Sequence, residues 1–260
     1  HIAAVLDAGT TSAGLPFFVM ELVKGEPITL YCDTHHLTLR QRLELFIPVC
    51  QAVQHAHQKA VLHRDLKPSN ILVTEVDGKP VPKVIDFGIA KALGGTSPIL
   101  AQAMDRTLIG TIIGTPQYMS PEQAGSVSDV DTRSDVYTLG VILHEMLVGN
   151  TPLSRERLNC ALLDEVLRLI REEDCQKPST NFSTLVQKSG HLATDRQAEA
   201  HTLTRQLRGD LDWIILKALE KDRTRRYSTA NALAQDIERY LRDEPVSVGP
   251  PSAGYRLKKL

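Results

Sequence analysis

The pattern of apolar and polar positions divides the chain into a short β-rich opening and a long helical remainder. His1–Ala8 and Leu15–Val23 are short apolar runs around the turn-rich stretch Gly9–Gly14, which predicts two strands joined by a loop. After Gly25-Glu26-Pro27 the period changes. Leu43, Phe46, Ile47, Cys50 and Val53 share one face and predict a helix from about Arg40 to Lys59, bent at Pro48. Short strands are expected at Ile71–Val73 and Lys83–Ile85, joined by the turn Val76-Asp77-Gly78-Lys79. From Gly88 to Gln123 the periodicity lapses, leaving a loop of a length usually tied to function. Ser134–Val148 has almost no polar face and predicts a buried helix stopped by Gly149. An amphipathic helix is expected over Arg155–Arg171, then a polar, exposed insertion over Gln176–Gly209. Helices over Leu211–Glu220 and Thr229–Leu241, the second with Ser228 as N-cap, complete the pattern. The proline-bearing tail from Asp243 to Leu260 reads as a linker.

Composition changes this picture little. The 260 residues are 42% hydrophobic and 23% charged, with 30 Lys and Arg against 31 Asp and Glu. A near-neutral chain has no long-range field to recruit nucleic acid or an anionic membrane. Cys32, Cys50, Cys160 and Cys175 form no CxxC pair, so reduced thiols in a cytoplasmic protein are expected rather than a disulfide framework or zinc knuckle. No apolar run approaches the roughly 18 residues of a membrane span. His55, His57 and His63 invite a metal site, but positions two apart do not share a helix face. His35 and His36 read as surface residues.

The chemistry concentrates in Val61–Val73, VLHRDLKPSNILV. Asp65, Lys67 and Asn70 converge on a loop between a helix and a strand. A carboxylate that takes or orients a hydroxyl proton, an ammonium that neutralises a migrating phosphoryl group and a carboxamide that binds metal suit phosphoryl transfer. Sixteen residues after Asn70 comes Asp86-Phe87-Gly88, a carboxylate at a strand end followed by glycine. The long loop closes with GTPQYMSPE, Gly114–Glu122.

In this order and spacing the segments resemble a protein kinase, in the style of the bacterial eukaryotic-like (Hanks-type) serine/threonine kinases. The resemblance implies an α+β protein-kinase-like fold, a mainly α-helical C-lobe with a remnant of the N-lobe β-sheet. Residues 1–23 would be the last N-lobe strands and hinge, 24–241 the C-lobe with the insertion 176–209, and 242–260 a linker or tail. By resemblance Asp65 is the catalytic base, Lys67 lies against the transferred phosphate, and Asn70 and Asp86 hold Mg2+. Thr115 bonds the catalytic aspartate and lysine. Met20 is the gatekeeper, and the backbones of Glu21 and Val23 grip the adenine of ATP. His63 and Phe87 stack in a hydrophobic spine, with Val5 as a third member, and Gly88 completes the metal-binding motif. Glu122 pairs with Arg226, and Asp135 anchors the backbone of the catalytic loop. Arg64 implies activation by a loop phosphate, with Thr107 and Thr111 as acceptors.

The expected reaction moves the γ-phosphate of ATP to serine or threonine hydroxyls of protein substrates. The alternatives are a non-catalytic pseudokinase or scaffold module and a small-molecule phosphotransferase of related fold. The chain begins with His1, and the family's glycine-rich loop, strand lysine and helix glutamate are not found in it. It is therefore expected to be an N-terminally truncated piece, nearly inactive by itself, of an active parent. The basic residues Arg256, Lys258 and Lys259 are read as the possible start of a juxtamembrane segment in that parent. A second departure is Ala60, where the family has glycine after the helix; alanine in a left-handed turn costs about 1 kcal/mol. The basic run Lys221–Arg226 is read as structural rather than nucleic-acid binding.

Overall fold

A computed structural model describes residues 1–12, 16–87, 116–125, 130–154, 157–158, 160–188 and 194–249. Two antiparallel strands open the chain, β1 (Val5–Thr10) and β2 (Pro16–Met20), with Val5 opposite Met20. A second sheet joins β3 (Glu26–Pro27), β4 (Ile71–Val76) and β5 (Lys79–Val84) in that order. Asp77 and Gly78, both with positive φ (52° and 71°), make the tight β4–β5 turn that an Asp-Gly pair favours. The first residues tie the two sheets together: Val84 N–H donates to His1 O at 2.8 Å and Ala3 N–H to Val84 O at 3.0 Å.

Helices supply the rest. After the short α1 (Ile28–Thr34) comes α2 (Leu39–Gln58), opened by a Thr38–Gln41 capping box and continuous through Pro48. The small α3 (Pro121–Gly125) precedes α4 (Thr132–Val148), the axis of the lobe, which is buried on nearly every face. Gly149 caps α4 in the left-handed conformation (φ 91°), as the sequence predicts. Around α4 pack α2, α6 (Pro178–Lys188), α8 (Asp210–Ala218) and α9 (Ala230–Leu241). Gly140 lets α8 come close: a Cβ there would lie 2.7 Å from Ala218 Cβ. Phe46, Leu139, Ile142, Leu143, Leu211, Ile214, Leu233 and Ile237 form the shared core. A smaller cluster of Ala124, Leu153, Leu158, Val166 and Ile170 fixes α3 against α5 (Leu163–Glu172). Among the described residues no helix is long and apolar enough to cross a membrane. All four cysteines are free, and burial raises the pKa of Cys32 to about 11.

Several expectations are corrected. The expected amphipathic helix is seen as α5, Leu163–Glu172, while residues 155, 156 and 159 of its expected start lie outside the described residues. The polar stretch 176–209 contains two helices, α6 and α7 (Thr194–Leu207). Among its described residues Leu207 packs inward fully and Phe182, Leu185 and Leu203 in part. Low overall hydrophobicity hid a narrow buried stripe. Thr229, not Ser228, caps α9 by accepting from Ala232 N–H at 3.1 Å. The tail does not leave the lobe at Asp243, because Val246 is buried and Ser247 is bonded to Asp236.

Candidate active site

The loop between α2 and β4 is held from below by one carboxylate. Asp135, on the first turn of α4, accepts the backbone N–H of His63 at 2.9 Å and of Arg64 at 3.0 Å. It also meets His57 Nε2 at 2.7 Å. Burial alone would raise the Asp135 pKa; the His57 bond and the His63 amide outweigh it and hold the carboxyl below its usual value. With its amides fixed, residue 64 takes a left-handed φ of 62° and delivers Asp65 to the surface of the loop. His57, set aside as a metal ligand, instead braces Asp135. The sequence signal was its position on the last turn of the helix preceding the loop.

Lys67 Nζ donates to Asp65 Oδ2 at 3.0 Å, with both groups partly open to solvent. Asn70, which closes the 3-10 turn Pro68–Asn70, gives its Nδ2 to Asp65 O at 2.9 Å. That bond turns the other amide atom, the carbonyl Oδ1, into the acceptor left for a cation. Ile85 N–H donates to Asn70 O at 2.9 Å, which brings the residue before Asp86 beside the asparagine. Asp86 is exposed, with φ 56°. An amide oxygen and a carboxylate oxygen suit a hard cation such as Mg2+, which keeps water and phosphate oxygens as its other ligands.

His63 is fully buried, donates Nε2–H to Ile85 O at 3.0 Å and packs against Phe87 with ring centroids 4.7 Å apart and the rings tilted by 44° rather than stacked. Burial lowers its pKa and so favours the neutral ring. Val5 does not extend this contact: it is 53% exposed on β1 and lies outside the core. Met20 ends β2, and Glu21 N–H donates to Ala4 O at 2.9 Å. The Glu21 carboxylate pairs with Lys83 on β5, and this bond lowers its pKa. Val23 follows in irregular chain.

Arg226 uses all five of its N–H groups. Nη1 and Nη2 reach the Glu122 oxygens at 2.7 and 2.9 Å, and the other donors reach the carbonyls of Glu220, Lys221 and Arg133. Ser134 Oγ–H adds a further bond to Glu122. The other bases of that run also have partners: Lys221 donates to Ile170 O at 2.8 Å, and Arg223 and Arg225 pair with Asp131 and Asp222. A residue that sequence reasoning missed, Gln123, donates from Nε2 to Arg64 O at 2.7 Å. Gly88, Thr107, Thr111 and Thr115 lie outside the described residues.

With this geometry in view, the chain matches the protein kinase domain family over residues 1–237. It belongs to that family. PknB of Mycobacterium tuberculosis, a serine/threonine-protein kinase, is 34% identical over 250 residues, which cover 94% of this chain and 34% of the relative. A probable PknB of Corynebacterium glutamicum is 31% identical over 246 residues, or 93% of this chain. The chain thus spans about a third of the length of the curated relatives it matches. Among solved structures, the M. tuberculosis PknI kinase domain superposes with a TM-score of 0.59 at 21% identity, covering 92% of this chain and 72% of that one. The likeness fixes the fold as the kinase α+β architecture.

Proposed function

We propose that this kinase lobe belongs to a serine/threonine protein kinase that transfers the γ-phosphate of ATP to hydroxyls of protein substrates. The observation that carries the reading is the Asp65–Lys67 pair on a loop whose amides are locked by Asp135. The substrate hydroxyl oxygen forms a bond to the γ-phosphorus while the bond from that phosphorus to the β–γ bridging oxygen breaks. ADP departs with the electron pair, and Asp65 orients the hydroxyl and takes its proton. Lys67, held beside Asp65, meets the negative charge of the phosphoryl group in transit. Asn70 and Asp86 are the residues that would hold Mg2+, which when bound neutralises charge on the phosphates. Met20, Glu21 and Val23 line the adenine side. Lysine at position 67 and the serine/threonine-protein kinase relatives favour alcohol over phenol substrates.

Thr115 is assigned the bond that steadies Asp65 and Lys67. Arg64 is assigned to a phosphate on Thr107 or Thr111, since its guanidinium has no partner among the described residues. ATP chemistry and free thiols support a cytoplasmic setting for the lobe, with any membrane anchor elsewhere in the parent. The 260 residues contain no GxGxxG to clamp the α- and β-phosphates, so the isolated lobe is expected to turn over very slowly. The test therefore uses the full-length protein, with ATP, Mg2+ and casein as acceptor. Asp65→Asn is expected to lower kcat by about 10²–10⁴-fold while ATP still binds. Wild-type turnover in that variant would sink the catalytic assignment. A wild-type protein that binds ATP but transfers nothing would establish the scaffold reading instead.

A further inference from the structure

Ser120, Pro121, Glu122 and Gln123 open α3 as a capping box. Gln123 Oε1 accepts Ser120 N–H at 3.0 Å, and Gln123 N–H reaches Ser120 Oγ at 3.4 Å, with proline at the first helical position. Glutamate would close such a box equally well. Glutamine differs in having an NH2 left over, and here that group donates to Arg64 O at 2.7 Å. One carboxamide therefore joins the first turn of α3 to the peptide linking Arg64 to Asp65. Asp135 holds the N–H groups of residues 63 and 64, and Gln123 holds the carbonyl of residue 64. Residue 64 carries φ 62°, a conformation that a non-glycine residue keeps only when its neighbours impose it.

We infer that Gln123 is a positioning residue for phosphoryl transfer: its side-chain amide fixes the Arg64–Asp65 peptide, and so the aim of the Asp65 carboxylate, to the first turn of α3. The inference rests on the proposed role of Asp65. It gives α3 a direct mechanical route to the base, through one hydrogen bond. A misplacement of about 1 Å in a reacting group can lower turnover by about a hundredfold.

The discriminating variant is Gln123→Glu in the full-length protein, because it keeps the capping box and removes only the donor to Arg64 O. With casein and ATP, kcat is expected to fall about 10–100-fold, with KM for ATP and the melting temperature close to wild type. Gln123→Met, neutral and of similar size, is expected to lower kcat in the same direction, and it decides the matter if the glutamate variant does not fold. Wild-type kcat in the folded variants, or a fall in kcat accompanied by a matching rise in KM for ATP, would overturn the inference. Asp65→Asn runs alongside. If it is inactive while both Gln123 variants are fully active, the positioning role alone fails; if it is active, the reading of Asp65 fails first.

Discussion

His57 Nε2 and Asp135 Oδ2 lie 2.7 Å apart with only 4% and 3% of their side chains exposed. The pair stands beneath the loop between α2 and β4 and favours the Asp135 carboxylate that receives the amides of His63 and Arg64. Because the folded carboxyl has a lowered pKa, its contribution to stability is complete above the unfolded value of about 4 and is lost as pH falls through the folded value. Asp135→Asn should therefore lower stability by about 3 kcal/mol near neutrality and flatten the acid limb of the stability curve. Urea unfolding between pH 7 and 3 reads both. An unchanged acid limb would contradict the assignment.

The Glu122–Arg226 pair predicts an asymmetry. Arg226 is completely enclosed, its guanidinium lies 5.0 Å from the Tyr137 ring centroid, and its planar fork is what reaches five acceptors at once. Lysine cannot reproduce that fork. Arg226→Lys should lower stability by about 3 kcal/mol or more, since it leaves buried carbonyls and Glu122 short of donors. Glu122→Gln retains one acceptor oxygen and should cost less. Equal losses in denaturant titrations would refute the five-donor account.

How much of this was legible beforehand follows physical lines. α4 and its Gly149 stop could be read because a helix buried all round leaves a dense apolar signal, and the β4–β5 hairpin could be read because Asp-Gly demands one turn. The Glu122–Arg226 and Asp135–loop contacts came from family resemblance, since their partners are far apart in sequence and no local periodicity links them. His57 and Gln123 were missed for the same reason in a stronger form: each acts by a single bond to a distant carboxylate or carbonyl. The stretch holding α6 and α7 reads as an exposed insertion because its mean polarity is high, although Leu207 and Leu203 form the stripe that matters. Position 228 against 229 was a choice between two hydroxyl residues that backbone geometry decides, not composition.

Asp236 predicts how the tail is fastened. It is fully buried and accepts from Tyr227 Oη at 2.9 Å, Arg239 Nη1 at 2.7 Å, Ser247 N–H at 2.8 Å and Ser247 Oγ at 2.6 Å. Ser247→Ala should cost about 1 kcal/mol and Asp236→Ala more, since the latter strands the Tyr227 hydroxyl. The double variant should be little worse than Asp236→Ala, because both changes remove one shared bond. Full additivity in urea titrations would show that the tail is not held through this carboxylate. Faster hydrogen exchange at the Ser247 amide in Asp236→Ala is the local readout.

Ala60 offers a stabilising substitution. Helix α2 ends in a Schellman motif: Val61 N–H donates to Ala56 O at 3.0 Å and Ala60 N–H to His57 O at 3.0 Å, with Ala60 at φ 57°. A left-handed alanine costs about 1–2 kcal/mol, whereas glycine would add about 0.4–1 kcal/mol of unfolded-chain entropy. The first effect is the larger, so Ala60→Gly should gain about 0.5 kcal/mol. For a domain of this size that raises the melting temperature by about 1–2 °C. The side chain is exposed, so no packing is lost in exchange. Ala60→Val should move the other way, because a β-branched residue tolerates positive φ least. Calorimetry on the three proteins decides the sign. A lower melting temperature for the glycine variant would mean that the entropy of the unfolded chain outweighs strain at this turn.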